Sequence, residues 1–133
     1  MTKVLVVDDS EIFREIYSQV LINNGFEVET AANGKEAIDK MLSSPPQLIL
    51  LDYVMPVMNG QQVLAEMKKH ELLNNIPVIM LTIVSAEIKG QELLSAGSLA
   101  AYLTKDKVTT ENIVQRVKEV LGTYQKPLDT TTA

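Results

Sequence analysis

Short apolar runs alternate along the chain with stretches whose apolar residues recur every three or four positions. The first run, Lys3 to Val7, is rich in β-branched residues, and Leu48 to Leu51 is apolar at every position. Continuous apolarity in so short a run indicates a strand that is covered on both faces. The runs predict five strands, at 3–7, 27–31, 48–51, 78–81 and 101–103.

Each run is followed by a segment with helical spacing. The predicted helices are 10–23, 34–43, the stretch that follows Asn59-Gly60, 85–96 and 110–121. The second of them is predicted to bury Ala37, Ile38, Met41 and Leu42. Because the connections are too short to hold another layer, the alternation predicts a doubly wound parallel α/β sheet. We expect one domain over residues 1–122, and a polar tail or linker stub over 123–133.

Composition removes several classes of function. The 133 residues carry 12 basic and 17 acidic side chains, a net charge of −5, with no cysteine and one histidine, His70. Thiolate chemistry, a histidine-based zinc site and a Ser-His-Asp triad are therefore excluded. A pI near 4.8 argues against direct nucleic-acid binding. The apolar runs are too short to cross a membrane, and Asp8 and Asp9 interrupt any signal peptide, so we expect a cytoplasmic protein.

Polar residues stand where four of the predicted strands end. They are Asp8 and Asp9, Asp52, Thr82 and Lys105. In open parallel sheets the carboxyl ends of the strands form the binding edge, so we expect these side chains to meet. Clustered carboxylates suit a shared Mg²⁺, or Mn²⁺, and a lysine with a hydroxyl beside such an ion suits a phosphoryl group. A carboxylate can itself accept that group, and Asp52 is the most central candidate.

Each of these residues also has an ordinary structural interpretation. An aspartate after a strand often only caps the next helix, and Asp9 or Ser10 could have that role alone. Four chemically matched strand ends at one edge are much harder to explain in this way. The cluster therefore supports a functional site more strongly than any of its members does.

The same residues resemble those of the receiver domains of bacterial two-component response regulators, of the single-domain chemotaxis type. The resemblance extends over residues 3–122. It rests on the acidic pair Asp8-Asp9, on Thr82, Tyr102 and Lys105, and on the stretch Asp52-Tyr53-Val54-Met55-Pro56-Val57-Met58-Asn59-Gly60. It implies a flavodoxin-like sheet of order 2-1-3-4-5 with five helices.

The resemblance also implies a role for each residue. Asp52 would be the phosphoacceptor, and Asp8, Asp9, Asp52 and the Val54 carbonyl would bind Mg²⁺. Lys105 would pair with the phosphoryl oxygens and Thr82 would hydrogen-bond to them, while Tyr102 would move inward. The face made by the fourth helix, the fifth strand and the fifth helix would be the output surface.

The chain departs from the family pattern at four positions. Asp106 follows Lys105 where proline is usual, and Ile83 follows Thr82 where a small residue is usual. Val54 and Val84 are apolar where other members often carry polar side chains that assist water. Our hypothesis is that an aspartyl phosphate on this chain is long-lived.

Three functions are compatible with these observations. The first is a phosphorylation-controlled switch that receives its phosphoryl group from a histidine kinase or phosphotransfer protein and then acts on a target protein or a missing output domain. The resemblance also allows homodimerisation through the output face. The second is an atypical receiver that binds proteins without phosphorylation. This hypothesis rests on the unusual residues Ile83 and Asp106. The third, an aspartate-based phosphatase, usually needs a carboxylate where Val54 stands. We expect self-phosphorylation and autodephosphorylation, and no turnover of a free metabolite.

Overall fold

A computed structural model describes residues 2–82, 99–105 and 108–122. Five strands form one parallel sheet, and four helices are described. The strands are β1 (Lys3–Val7), β2 (Glu27–Ala31), β3 (Leu48–Asp52), β4 (Val78–Thr82) and β5 (Leu99–Thr104). The helices are α1 (Glu11–Asn23), α2 (Gly34–Ser43), α3 (Gly60–Lys68) and α4 (Thr110–Leu121).

The strand order is β2-β1-β3-β4-β5, which confirms the predicted doubly wound topology. Parallel pairs run in register through the centre of the sheet, with Val7 opposite Leu51 and Asp52 opposite Leu81. The predicted fourth helix, 85–96, and the tail, 123–133, lie outside the described residues. Within the described part, no helix is long and apolar enough to cross a membrane.

Local sequence signals set where the helices begin. The side chains of Ser10, Asn33, Asn59 and Thr109 each accept a hydrogen bond from the backbone N–H three residues later. These caps satisfy backbone donors that the first helical turn leaves without partners. The caps at Ser10 and Asn33 lie within three residues of the ends of β1 and β2, so they fix the direction of the chain soon after these strands.

The sheet separates the core into two layers. Leu5, Val7, Ile49 and Leu51 face the layer beneath α2 and α3. Their neighbours in sequence face the layer beneath α1 and α4; these are Val4, Val6, Leu48 and Leu50. Because side chains alternate across a strand, Asp8 and Asp52 continue the alternation on the α1 side.

The buried face of α2 differs from the prediction, and the apolar face of α1 is only partly buried. Leu42, expected to be buried, lies at the edge of α2 and is 39% exposed, because only Ala37, Ile38 and Met41 of that face reach the sheet. On α1, only Tyr17 and Leu21 are buried. The apolar stripe of α1 is therefore wider than the core requires, and it leaves Ile12, Phe13 and Ile16 exposed.

Candidate functional site

The four strand ends lie at one edge of the sheet. Asp8 follows β1 and Asp52 ends β3, and these two strands are neighbours, so their carboxylates are adjacent. One carboxylate oxygen each of Asp8, Asp9 and Asp52 lies within 4.8 Å of the others. Asp8 and Asp52 are buried, whereas Asp9 is exposed. Topology thus brings together carboxylates that are 44 residues apart in sequence.

Asp8 is held from several sides. Its Oδ1 accepts a hydrogen bond from the Ser10 N–H at 2.9 Å, and its carbonyl oxygen accepts one from Arg14 Nη1 at 2.7 Å. Its own N–H donates to the Ala31 carbonyl at 3.1 Å, which ties the end of β1 to β2. Ser10 caps α1, so capping is not the role of Asp9. A carboxylate held in this way is preorganised to bind a ligand.

Lys105 directly follows β5 and reaches into the acidic cluster. Its Nζ lies 2.7 Å from Asp8 Oδ2 and 3.4 Å from Asp52 Oδ2. The ammonium also lies over the Phe13 ring, 4.3 Å from the ring centroid. Only 7% of the Lys105 side chain is exposed, so these partners replace most of its water. Three carboxylates therefore face the Lys105 ammonium and, at the Asp8 backbone, the Arg14 guanidinium, which still leaves an excess of negative charge.

Burial, together with this charge imbalance, shifts the pKa of two groups. Burial, with the nearby Asp8 carboxylate, raises the pKa of Asp52 from 3.8 to about 6; Lys105 opposes the shift, and Asp9 adds a smaller upward effect. Burial, with Asp8 and Asp52, also raises the pKa of the Tyr17 hydroxyl, which therefore stays protonated at neutral pH. Ionised Asp52 is thus costly here unless a further cation or a covalent group relieves the repulsion.

The donor set fits a small divalent cation. Carboxylate oxygens are the ligands that Mg²⁺ and Mn²⁺ prefer, and partial exposure of the cluster leaves room for the water that Mg²⁺ retains. A cation would also relieve the mutual repulsion of the three aspartates. The residues present therefore fit the predicted ion.

The loop that follows Asp52 has an unusual backbone. Val57 has φ 71°, and the Met58 N–H donates to the Pro56 carbonyl at 2.7 Å across it, which makes a γ-turn with a left-handed centre. The Gly60 N–H returns to the Tyr53 carbonyl at 2.8 Å and closes the loop. A β-branched residue is strained in this conformation. The loop therefore keeps its shape although the backbone conformation of Val57 is energetically unfavourable.

The structure describes some of the other predicted site residues only in part and others not at all. Thr82 ends β4 opposite Thr104; its backbone is described and its side chain lies outside the description. Tyr102 is partly buried and packs against the α2 and α3 layer. Val54 is half exposed beside the acidic cluster. Ile83, Val84 and Asp106 lie outside the described residues.

Two residues near the cluster were not predicted from the sequence. Phe13 lines the same cavity as Asp8, Asp9, Asp52 and Lys105, and Arg14 holds the Asp8 backbone. Both lie on the first turn and a half of α1, directly after the acidic pair. Their position was a usable signal, since the start of the helix that follows a site strand must border the site.

Comparison with known sequences and structures defines the class of protein. The sequence model of the response regulator receiver domain matches residues 4–118, and the chain belongs to that family. Receiver domains are phosphorylation-controlled switches of two-component systems, and they are signalling domains instead of classical enzymes. They interact with histidine kinases or phosphotransfer proteins and with downstream targets, and they typically bind Mg²⁺ at an acidic pocket.

Particular relatives refine this placement. The chain is 44% identical over 127 residues to a transcriptional regulatory protein CpxR homolog of Haemophilus influenzae, covering 96% of this chain and 53% of the relative. It is 32% identical to the polar-differentiation response regulator DivK of Brucella ovis, covering 92% and 98%. The structure of chemotaxis protein CheY4 of Vibrio cholerae is similar, with TM-score 0.83, 34% identity, and coverage of 90% and 98%. The chain thus spans about half of one relative and nearly all of two others.

Proposed function

We propose that Asp52 is the phosphoacceptor of this receiver. The observation that carries the proposal is the position of its carboxylate, buried at the end of the central strand and 3.4 Å from the Lys105 ammonium. A phosphoryl group on Asp52 would find a cation already in place. The raised pKa of Asp52 indicates that this carboxylate is poorly stabilised when it is ionised and metal-free.

The transfer is a displacement at phosphorus. An Asp52 carboxylate oxygen forms the new O–P bond while the N–P bond to the donor's phosphohistidine breaks, and the donor imidazole leaves with the electron pair and takes up a proton. Lys105 then pairs with the phosphoryl oxygens. Thr82 hydrogen-bonds to the same oxygens, and Tyr102 moves inward toward the layer that it already contacts.

Three carboxylates hold the cation in this proposal. Asp8, Asp9 and Asp52 supply side-chain oxygens, and Val54 supplies its backbone carbonyl. When bound, Mg²⁺ or Mn²⁺ would supply positive charge beside the transferring phosphoryl group. Arg14 and Ser10 support the ion indirectly, because both hold Asp8.

The phosphorylated form acts through protein contacts. The donor is a histidine kinase or a phosphotransfer protein, and the output face consists of segment 85–96, β5 and α4. DivK and CheY4 are relatives of almost the same length as this chain, whereas the CpxR homolog is about twice as long. The target is accordingly either a separate protein or an output domain on a longer chain. In this proposal, the same face also provides the contact between two copies of the chain.

Intact mass spectrometry after incubation with acetyl phosphate tests the proposal. We expect one added phosphoryl group with Mg²⁺, and none after chelation or in Asp52→Asn. Asp39→Asn is the matched control, because Asp39 is a surface carboxylate that pairs with Lys35 on α2. Decay of the adduct after removal of acetyl phosphate measures its lifetime, which we expect to be long because Val54 provides no polar group to assist water. Absence of the adduct in the wild type would support the phosphorylation-independent module.

A further inference from the structure

We propose that Phe13 is a positioning residue for Lys105, and that its ring keeps the ammonium at the site when a divalent cation occupies the three carboxylates. The inference rests on the proposed function of the site. It concerns a residue of α1 to which the receiver motifs assign no role.

The starting observation is that Lys105 has partners of two kinds. Its ammonium lies 2.7 Å from Asp8 Oδ2 and 3.4 Å from Asp52 Oδ2, and it also lies 4.3 Å from the centroid of the Phe13 ring. An ammonium has three N–H donors, so two carboxylates do not exhaust its capacity. The face of an aromatic ring attracts a cation, and the attraction strengthens when water is excluded, as it is around this nearly buried side chain.

The ring itself is held in place. Phe13 stacks on Tyr17, with ring centroids 5.6 Å apart and ring planes inclined by 21°. Tyr17 is buried in the core and fixed on the same helix, while Phe13 is 37% exposed and forms a wall of the cavity. Such stacking reduces the freedom of the Phe13 side chain. The ammonium therefore meets a fixed surface rather than a mobile side chain.

A divalent cation and the lysine compete for the same carboxylates. Asp8 Oδ2 and Asp52 Oδ2 both contact Lys105, and both aspartates belong to the carboxylate cluster that fits a divalent ion. With that ion bound, the carboxylates attract the ammonium less, and the like charge repels it. The Phe13 ring does not bind the divalent ion, and its attraction for the ammonium strengthens as the carboxylates neutralise that ammonium less. It therefore contributes more to holding Lys105 in the metal-bound state than in the metal-free state.

A double-mutant cycle tests this arrangement. Phe13→Leu keeps an apolar side chain but removes the ring, and we expect Mg²⁺ affinity, measured by calorimetry, to fall about 3- to 10-fold. The rate of labelling by acetyl phosphate should fall by a similar factor. In a Lys105→Met background the same substitution should change Mg²⁺ affinity by less than about twofold, since the partner of the ring is absent. Equal losses in both backgrounds would overturn the proposal, as would no loss in either.

Two further variants separate positioning from general structural damage. Phe13→Tyr retains the ring and should keep wild-type Mg²⁺ affinity. Ile16→Leu changes an exposed apolar residue one turn further along α1 and should have no effect on Mg²⁺ affinity. Loss of affinity in Phe13→Tyr equal to that in Phe13→Leu would contradict a role for the ring.

Nuclear magnetic resonance gives a readout that is independent of phosphorylation. Protons next to the Lys105 ammonium should be shifted upfield by the ring current in the wild type and not in Phe13→Leu, with assignment by Lys105→Met. The upfield shift should persist at saturating Mg²⁺; its disappearance would refute the proposal. If wild-type Asp52 accepts no phosphoryl group, the proposed function fails, while the spectrum and the affinity cycle still decide the role of Phe13.

Discussion

At the scale of single residues, the site combines a requirement for charge with a requirement for burial. Asp52 is 4% exposed and Asp8 1% exposed, yet both must be ionised to bind a cation. Lys105 offsets part of the cost of burying them, and the helix cap and Arg14 fix Asp8. The remaining cost is visible in the raised pKa of Asp52.

That cost predicts how Asp52→Asn affects stability. The pKa of Asp52 is about 6 in the folded chain and 3.8 ordinarily, so its stabilising contribution is complete below pH 4 and is lost as pH rises through about 6. Asparagine has a similar shape and no charge. Without divalent cations at pH 7.5, we expect Asp52→Asn to raise the free energy of unfolding by about 1–3 kcal/mol. The Lys105–Asp8 ion pair remains to hold the lysine.

Urea unfolding at several pH values measures this effect. The difference between variant and wild type should shrink toward zero between pH 6 and pH 4, and saturating Mg²⁺ at pH 7.5 should also reduce it. Asp39→Asn, on the surface of α2, should show neither trend. If the wild type is more stable than Asp52→Asn in metal-free buffer at pH 7.5, the ionised Asp52 carboxylate does not destabilise the folded chain, and the prediction is wrong.

The residue types of the site were predictable, whereas several contacts were not. Asp8, Asp9, Asp52 and Lys105 follow apolar runs, and parallel topology alone places such residues at one edge. The contact between Lys105 and Phe13 joins residues 92 positions apart, and it depends on side-chain rotamers that no local pattern encodes. The alternation along β1 and β3 could have indicated that Asp8 and Asp52 point toward α1.

At the scale of elements, the sequence predicted which helices and strands form better than it predicted where each one begins and ends. All five strands and the four described helices lie where periodicity placed them. β5 was predicted as 101–103 but spans Leu99–Thr104, because a register shift between Val78 and Ile79 of β4 lets Leu99 join the sheet. Such an irregularity depends on the neighbouring strand, so the sequence of β5 alone did not reveal it.

The start of α2 is tightly packed against the loop that follows Asp52. A Cβ atom on Gly34 would lie 2.7 Å from Met58 Cβ, the Met58 carbonyl oxygen and a Val63 methyl group. We expect Gly34→Ala to lower the free energy of unfolding by about 1–3 kcal/mol, despite the better helix propensity of alanine. Lys35→Ala, exposed at the next position, should stay within about 0.5 kcal/mol in the same urea titration. Unchanged stability of Gly34→Ala would show that the loop after Asp52 moves to accommodate the added methyl group at little cost.

The γ-turn predicts a stabilising substitution. Val57 is 76% exposed and has φ 71°, so it loses little packing when replaced but carries a backbone cost. Asparagine tolerates a positive φ better than a β-branched residue does, and we expect Val57→Asn to raise the free energy of unfolding by about 0.5–1 kcal/mol. Val54→Asn, at an exposed valine of the same loop with no positive φ, should not stabilise the chain. Equal effects of the two substitutions would indicate that polarity, and not the backbone, is responsible.

At the scale of the whole molecule, the sheet divides the neighbourhood of the site between two layers. Asp8 and Asp52 belong by alternation to the side of α1 and α4, whereas Tyr102 packs on the side of α2 and α3. The two layers meet at the edge where the carboxylates lie. An event at Asp52 can therefore alter packing on both faces of the sheet, as a switch with an extended output surface requires.

The register of β1 with β3 also has a consequence for the rate of folding. Val7 pairs with Leu51, so the chain brings Asp8 and Asp52 together as these two central strands associate during folding. We expect their repulsion to oppose an early step of folding, so that the folding barrier carries most of the penalty. In metal-free buffer at neutral pH, Asp52→Asn should accelerate refolding while leaving the unfolding rate nearly unchanged in stopped-flow measurements. A variant that only unfolds more slowly would place the association of these strands after the barrier.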